Sequence, residues 1–182
     1  MKQELDKPNK EIISGQLLDY ILWLYDLPSR QESFAEYICK FLPISCSILE
    51  VGCGRTGIMS RILKEKGYKV SCMDPEIDPL YLKCINSFQE KFHYETTNIE
   101  EYDYLIAQTP CDATEHIVRA CVSKKKPFIM SLCSMPHNLI NGDMLSSAQE
   151  WYSYLQNISS NLKLSYKKLD PFTVTPILKS SF

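Results

Sequence analysis

Apolar side chains recur along the chain at two different spacings, with short polar segments between them. Where they recur every three or four residues, the pattern predicts an amphipathic helix. Where a short segment is mostly apolar without interruption, the pattern predicts a buried strand. The predicted helices cover residues 11–26, 29–42, 56–66, 78–88, 112–126 and 147–161, and the predicted strands cover residues 47–51, 68–73, 92–96, 102–108, 127–133, 162–169 and 172–178.

The order of these elements predicts the fold class. Strands and helices alternate through most of the chain, which favours an α/β fold with a mostly parallel sheet and helices on both faces. The last two strands flank a turn at Asp170-Pro171 and predict a C-terminal antiparallel hairpin. Residues 1–42 are predicted to form an N-terminal helical extension that packs on a single domain spanning residues 43–182. The role of this extension is either structural packing against the sheet or that of a lid that binds the substrate.

Two of the predicted helices begin with the sequence pattern of a capping box. In this pattern the first side chain accepts the N–H of the residue three positions later, whose own side chain reaches back to the first N–H. Ser29 and Glu32 form one such pair, and Asp112 and Glu115 form the other. Both pairs are therefore predicted to fix the start of a helix.

The first strand ends in a turn that is rich in glycine. Gly52, Gly54 and Gly57 follow the strand, and the absence of Cβ atoms lets a ligand approach the backbone closely. Glu50 stands in the strand itself, where a carboxylate costs free energy unless a polar group meets it. Asp74 follows the next strand. Because ligands of open α/β sheets bind beyond the carboxyl ends of the strands, these residues predict a ligand site.

Residues 49–54 read Leu-Glu-Val-Gly-Cys-Gly. This segment resembles motif I of the class I S-adenosylmethionine-dependent methyltransferases, whose usual form is Glu/Asp-x-Gly-x-Gly. The strand that ends in Asp74 resembles the second motif of the same family. The resemblance implies a Rossmann-like fold, methyl transfer as the activity and S-adenosylmethionine as the cofactor.

The resemblance also implies a role for each residue at this edge of the sheet. Glu50 would face the cationic amino group of the cofactor, and the backbone of the glycine turn would hold its amino-acid end. Asp74 would accept both ribose hydroxyls, Asn98 or Ile99 would contact the edge of the adenine, and Gln108 would lie near the reactive methyl group. The implied cofactor-binding residues are Glu50, Gly52, Cys53, Gly54, Gly57, Asp74, Asn98, Ile99 and Gln108.

A nicotinamide dinucleotide is the alternative cofactor. The spacing of Gly52, Gly54 and Gly57 also fits the G-x-G-x-x-G fingerprint, and Asp74 follows at about the distance that a ribose-binding acid requires. Glu50 argues against this alternative because its carboxylate would repel a pyrophosphate. The predicted C-terminal hairpin also suits a methyltransferase sheet better than a six-stranded parallel one.

The residues that would act on a methyl acceptor are Cys111, Asp112 and His137. Cys111 follows Pro110, a pair similar to that of cytosine-C5 methyltransferases, and its place before a helix favours a lowered pKa. A half-buried structural thiol is the other interpretation. Asp112 is a candidate base as well as a predicted cap, and His137 follows the fifth strand as a base or acceptor contact, whereas His116 is expected at the surface. The acceptor is a small molecule or a nucleic acid, and a non-catalytic protein that binds the same cofactor stays open.

Composition narrows the remaining possibilities. The 182 residues fit one domain, and a net charge of -2 gives no general attraction to nucleic acid. No apolar run approaches the ~20 residues that span a bilayer, and the polar N-terminus lacks the apolar region of a signal peptide, so no membrane partner is expected. None of the eight cysteines forms a Cys-x-x-Cys pair, which predicts reduced thiols in a cytoplasmic protein without a metal site. The oligomeric state does not follow from the sequence.

Overall fold

The computed structural model describes residues 15–133 and 139–180. Its strands are β1 (Ser47–Val51), β2 (Lys69–Met73), β3 (Asn86–Phe88), β4 (Tyr104–Gln108), β5 (Phe128–Ser131), β6 (Leu162–Lys167) and β7 (Thr175–Ser180). Its helices are α1 (Gly15–Leu24), α2 (Arg30–Cys39), α3 (Ile58–Glu65), α4 (Thr114–Lys124) and α5 (Ala148–Asn157).

The strands form one sheet in the order β3-β2-β1-β4-β5-β7-β6. The first five strands in this order run parallel, and β7 runs antiparallel to both β5 and β6. This arrangement confirms the predicted α/β fold with a mostly parallel sheet and a C-terminal antiparallel hairpin. In the hairpin turn the buried carboxylate of Asp170 accepts the N–H groups of Phe172 and Thr173 at 2.8 and 2.7 Å.

Helices cover both faces of the sheet because successive strand residues point to opposite sides. Ile48 and Ile106 belong to a buried cluster on one face, and Leu49 and Leu105 belong to a cluster on the other face. The first face packs against α2 and α3 through Phe34, Ile38, Met59 and Leu63. The second face packs against α4 and α5 through Ile117, Val118, Cys121, Trp151 and Leu155.

Two helices precede β1. The first, α1, covers part of the helix predicted over residues 11–26, of which residues 11–14 lie outside the described residues. The second, α2, begins with the predicted capping box: Ser29 Oγ accepts the N–H of Glu32 at 3.2 Å, and the Glu32 carboxylate accepts the N–H of Ser29 at 2.7 Å. Among the described residues, no helix is long and apolar enough to cross a membrane.

The second predicted capping box is wrong. Asp112 lies in a short 3-10 turn before α4, and no side chain caps that helix. Glu115 is almost completely buried and accepts hydrogen bonds from the Tyr154 hydroxyl at 2.5 Å, the Arg119 guanidinium at 2.7 Å and the Ile140 N–H at 2.9 Å. A buried carboxylate needs strong hydrogen-bond donors, and Glu115 obtains them from these three groups. It therefore does not act as a helix cap.

The segment between β2 and β4 also differs from the prediction. The helix predicted over residues 78–88 is reduced to a 3-10 turn at Pro79–Tyr81, and its last residues form β3. The strand predicted over residues 92–96 is instead part of a turn, which is closed by a 2.9 Å hydrogen bond from the Thr97 N–H to the His93 carbonyl. One edge of β2 faces β1, so only its outer edge can take another strand, and β3 occupies it.

Candidate functional site

The glycine turn after β1 has a backbone shape that favours glycine. Gly52 and Gly57 have φ angles of 73° and 53°. A Cβ atom on Gly52 would lie 3.0 Å from Cβ of Pro110, and one on Gly57 would lie 2.8 Å from the Leu82 side chain. A Cβ atom on Gly54 would meet no atom within 4 Å. The turn is therefore packed closely at Gly52 and Gly57, while Gly54 borders open space.

A cavity of about 760 Å³ opens at the carboxyl ends of β1, β2 and β4. Among its lining residues are the predicted cofactor-binding residues Glu50, Gly52, Cys53, Gly54, Asp74 and Gln108. Cys111 and Asp112 line the same cavity and are exposed, whereas Gly57 lies close to Leu82 and is not a lining residue. The fold therefore brings the glycine turn, two acidic residues and two candidate catalytic residues to one place.

Asp74 is tied to the glycine turn by its side chain. Its Oδ2 atom accepts the N–H of Gly54 at 2.9 Å, and its Oδ1 atom accepts the N–H of Glu76 at 2.8 Å. The N–H of Gly52 donates to the Met73 carbonyl at 2.8 Å and holds the turn against the end of β2. Each carboxylate oxygen keeps further lone pairs, so Asp74 can also accept hydrogen bonds from a ligand in the cavity.

Glu50 is a buried carboxylate at the base of the same cavity. Only 2% of its surface is exposed, and its Oε2 atom accepts a hydrogen bond from the Ser60 hydroxyl of α3. The pKa of Glu50 is raised to about 7, chiefly by burial and to a smaller extent by the nearby Asp74, while the hydrogen bond from Ser60 opposes the rise. A cationic group in the cavity would favour the ionised form of this carboxyl.

The segment after β4 connects the cavity to the N-terminal helices. Gln108 Nε2 donates to the Arg30 carbonyl at 3.0 Å, and Arg30 also lines the cavity. The Arg30 guanidinium binds both carboxylate oxygens of Asp19 at 2.7 Å, which ties α2 to α1. Thr109 and Cys111 both have positive φ angles, 47° and 50°, so this segment turns sharply beside the cavity. The start of α2 therefore forms one wall of the cavity.

Two histidines that line the cavity were also not predicted from the sequence to belong to the site. His93 and His116 line it, with ring centroids 4.5 Å apart. His116 was expected at the surface, but it is half-buried, and its Nδ1 atom accepts the Tyr94 N–H at 3.4 Å. Burial and the neighbouring His93 lower the pKa of His116, which favours a neutral ring that carries its proton on Nε2. The four-residue spacing of Asp112 and His116 is the one sequence signal that could have placed this histidine.

Asn98 and Ile99 lie away from the cavity. Asn98 Oδ1 accepts the N–H of Glu100 at 3.0 Å, and Ile99 is fully buried in the cluster under α4 and α5. Their predicted position depended on a strand over residues 92–96, which the structure does not contain. Residues 90–93 line the cavity in their place.

His137 lies outside the described residues, so its predicted role stays a prediction. Within residues 15–133 and 139–180, no group of three or more histidine, cysteine, aspartate or glutamate side chains is arranged to hold a metal ion.

No protein-family model matches the chain, and no curated protein is significantly similar to it in sequence. Solved structures nevertheless share its fold. A sugar N-methyltransferase from Streptoalloteichus matches with a TM-score of 0.60 and 12% identity, covering 100% of this chain and 98% of its own. A second match is the 1,6-didemethyltoxoflavin-N1-methyltransferase of Burkholderia thailandensis, solved with bound 1,6-didemethyltoxoflavin and S-adenosylhomocysteine. Its TM-score is 0.57 and its identity 12%, over 99% of this chain and 92% of its own.

A magnesium protoporphyrin IX methyltransferase from Synechocystis, solved with S-adenosylmethionine, gives a TM-score of 0.55 and 13% identity over 93% of this chain and 85% of its own. These proteins act on different molecules and share little sequence with this chain, so the likeness is one of architecture. The chain therefore has the fold of the class I S-adenosylmethionine-dependent methyltransferases.

Proposed function

We propose that the protein is an S-adenosylmethionine-dependent methyltransferase that acts on a small molecule. The observation that carries this proposal is the pairing of two carboxylates, Glu50 and Asp74, on either side of a glycine turn at the cavity. Glu50 is buried and lacks a cationic partner among the hydrogen bonds and ion pairs of the described residues. A ligand that carries an ammonium group and a ribose diol would satisfy both carboxylates at once.

The order of the strands supports one orientation of such a ligand in the cavity. Its amino-acid end would bind at β1, with the ammonium at Glu50 and the backbone of Gly52 and Gly54 alongside. Its ribose would bind at the end of β2, where Asp74 accepts hydrogen bonds from the hydroxyls. Since β3 is the next strand outward, the adenine would lie against residues 90–93 and His116.

The methyl acceptor would enter from the other side, beside the end of β4. Gln108, Cys111 and Asp112 line this part of the cavity together with Arg30 of α2. Bound at the site, S-adenosylmethionine supplies an electrophilic methyl group on a sulfonium. Transfer to an N–H or O–H acceptor also releases a proton, and Asp112, an exposed carboxylate of the lining beside β4, would take it. Cys111 as a nucleophile and His137 as a base remain proposals for the same step.

The charges around the cavity support a small-molecule acceptor over a nucleic acid. Among the described residues that line it, carboxylates outnumber cationic side chains by five to two. The carboxylates are Glu50, Asp74, Glu76, Glu90 and Asp112, and the cations are Arg30 and Lys91. Nucleic acid binding depends on cationic side chains that neutralise phosphates, and the excess of carboxylates here would repel the phosphates.

Calorimetric titration with S-adenosylmethionine, S-adenosylhomocysteine and NAD+ tests the cofactor. We expect both sulfur compounds to bind and NAD+ not to bind, because Glu50 would repel its pyrophosphate. Transfer of a labelled methyl group into small-molecule, RNA and protein fractions of a cell extract then tests the activity. Binding without label in any fraction would favour the non-catalytic alternative, and tight binding of NAD+ alone would contradict the proposal.

Truncation of the ligand tests its orientation. 5′-Methylthioadenosine keeps the ribose and adenine of the cofactor but lacks its amino-acid end. Replacement of His116 by alanine is expected to weaken S-adenosylhomocysteine and methylthioadenosine by the same factor, about tenfold, or ~1.4 kcal/mol. Replacement of Glu50 by glutamine should weaken only S-adenosylhomocysteine. A His116→Ala variant with unchanged affinity for both ligands would contradict the assigned adenine position.

A further inference from the structure

The helix α1 is apolar on both its inner and its outer face. Leu18 and Leu22 are buried on the inner face, whereas Tyr20, Trp23 and Leu24 are exposed on the other side of the helix. A helix that is apolar on all sides is normally buried on all sides. The outer face of α1 is therefore suited to be covered by another molecule.

The exposed apolar surface continues from α1 onto the C-terminal hairpin. The ring centroid of Tyr25, which follows α1, lies 6.3 Å from that of Phe172 in the hairpin turn, and Val174 is also exposed. Within α1, the ring centroids of Tyr20 and Trp23 are 5.9 Å apart. We call this continuous patch the aromatic surface, and its members are Tyr20, Trp23, Leu24, Tyr25, Phe172 and Val174.

The size of the aromatic surface matches one side of a protein interface. Its members expose between 44% and 74% of their surface. Aromatic side chains present up to ~150–250 Å² each, so the four aromatic and two aliphatic members together expose roughly 700 Å². The largest apolar patch of a monomer is typically ~300–600 Å², and each partner of a standard interface contributes ~800 Å². The aromatic surface therefore exceeds what a monomer normally exposes and is close to what each subunit of a stable dimer buries.

The charges around the aromatic surface favour a second copy of the same chain as its occupant. None of its six side chains is charged, and the sole charged residue between positions 15 and 25, Asp19, is held by Arg30 at 2.7 Å. An acidic or basic partner would therefore find no counter-charge, and α1 lacks the lysine and arginine residues that attach an amphipathic helix to a membrane. An uncharged apolar patch is complementary to itself, as an interface with twofold symmetry requires.

We propose that the protein forms a homodimer with twofold symmetry through the aromatic surface. The α1 helices of the two copies would lie antiparallel across the symmetry axis. Tyr20 and Leu24 are one helical turn apart on the same face, so each can pack against the other across the axis. The rings of Trp23 and Phe172 would close the interface on either side.

The dimer would also reach the acceptor wall of the cavity. Asp19 of α1 binds the guanidinium of Arg30, and Arg30 lines the cavity. A partner that covers α1 would restrain this helix and, through Asp19, would hold Arg30 in place. This consequence rests on the proposed function, whereas formation of the dimer does not.

Analytical ultracentrifugation of the full-length protein at micromolar concentrations tests the proposal. We expect a species of twice the 21.0 kDa mass of one chain. Replacement of Trp23 by lysine should raise the dissociation constant of the dimer about 100-fold or more, because it places two unpaired charges in the buried interface. The Leu80→Lys variant is the matched control and should dimerise like the wild type. Leu80 is also 74% exposed, but it lies near β2, at the opposite end of the strand order from the hairpin.

Tryptophan fluorescence locates the interface. The chain has two tryptophans, of which Trp151 is buried and Trp23 is exposed in one chain. Dilution below the dissociation constant should shift the emission of the wild type to longer wavelength, because Trp23 then meets water. Circular dichroism of the Trp23→Lys variant should match that of the wild type, which separates loss of the interface from loss of the fold.

A wild-type protein that stays monomeric would overturn the proposal, and so would a dimer that persists unchanged in the Trp23→Lys variant. If the monomer protects the amides of α1 from hydrogen exchange, residues 1–14 of the same chain would be the occupant instead. If the monomer co-sediments with phosphatidylglycerol vesicles, a membrane surface would be. Failure of both wild type and variant to bind S-adenosylhomocysteine would contradict the proposed function and leave the result on the dimer intact.

Discussion

Replacement of Asp74 by alanine is expected to lower the affinity for S-adenosylhomocysteine about 100-fold, or ~2.7 kcal/mol. The carboxylate would hold both ribose hydroxyls, and hydrogen bonds to charged groups contribute roughly 1.5–3 kcal/mol each. The same side chain orders the turn through the Gly54 and Glu76 N–H groups, so the binding surface also loses a fixed shape. Calorimetric titration of the variant measures the effect.

Asp78 provides the control for this experiment. Like Asp74, it accepts a backbone N–H two residues later, in this case that of Leu80 at 3.0 Å, and it pairs with Arg55 at 3.5 Å. It does not line the cavity. The Asp78→Ala variant should therefore bind S-adenosylhomocysteine like the wild type. Equal affinity in the Asp74→Ala variant and the wild type would contradict the ribose-binding role.

Replacement of Glu50 by glutamine is expected to remove a pH dependence of stability from the ligand-free protein. Burial raises the pKa of Glu50 to about 7 from its ordinary value of 4.5. Between these two pH values the folded protein holds a proton that the unfolded chain has released, so the free energy of unfolding falls as pH rises. This shift of the Glu50 pKa corresponds to a change of roughly 3 kcal/mol in the free energy of unfolding. A glutamine at this position does not titrate, so the variant lacks this change.

Urea denaturation at pH 5 and pH 8 measures this effect. The stability of the Glu50→Gln variant should rise relative to that of the wild type by roughly 3 kcal/mol between the two pH values. Ligand binding should depend on pH in the opposite direction, since an ammonium group favours the ionised form of the Glu50 carboxyl. Wild-type affinity for S-adenosylhomocysteine should rise from pH 5.5 to pH 7.5, with proton release on binding. Parallel stability profiles of the two proteins would contradict the assigned titration.

Local sequence patterns predicted the parts of the fold that depend on neighbouring residues. The Ser29–Glu32 capping box and the strand that carries Glu50 into the glycine turn were both confirmed. The prediction failed between residues 78 and 96, where the outer edge of β2 selects β3 as its partner. Such pairing joins residues that are distant in the sequence, and helical spacing alone cannot show which segment will pair.

The candidate site was predictable to the same extent. Glu50 and Asp74 were predicted because each lies near the carboxyl end of a segment with the pattern of a strand. Arg30 and His93 reach the cavity only through tertiary packing, and the surrounding sequence gives no sign of it. Glu115 is a residue for which the local pattern was misleading. Its spacing from Asp112 matched a capping box, but the side chain is buried and binds other partners.

The position of α2 has a consequence for engineering acceptor preference. Its first residue, Arg30, lines the cavity, whereas Phe34 and Ile38 belong to the buried cluster against β1. Exchange of the whole helix with that of another protein would therefore disturb the hydrophobic packing together with the acceptor wall. Because Arg30 also ties α2 to α1 through Asp19, a library restricted to position 31 would vary the wall alone, and its members should unfold near the wild-type temperature.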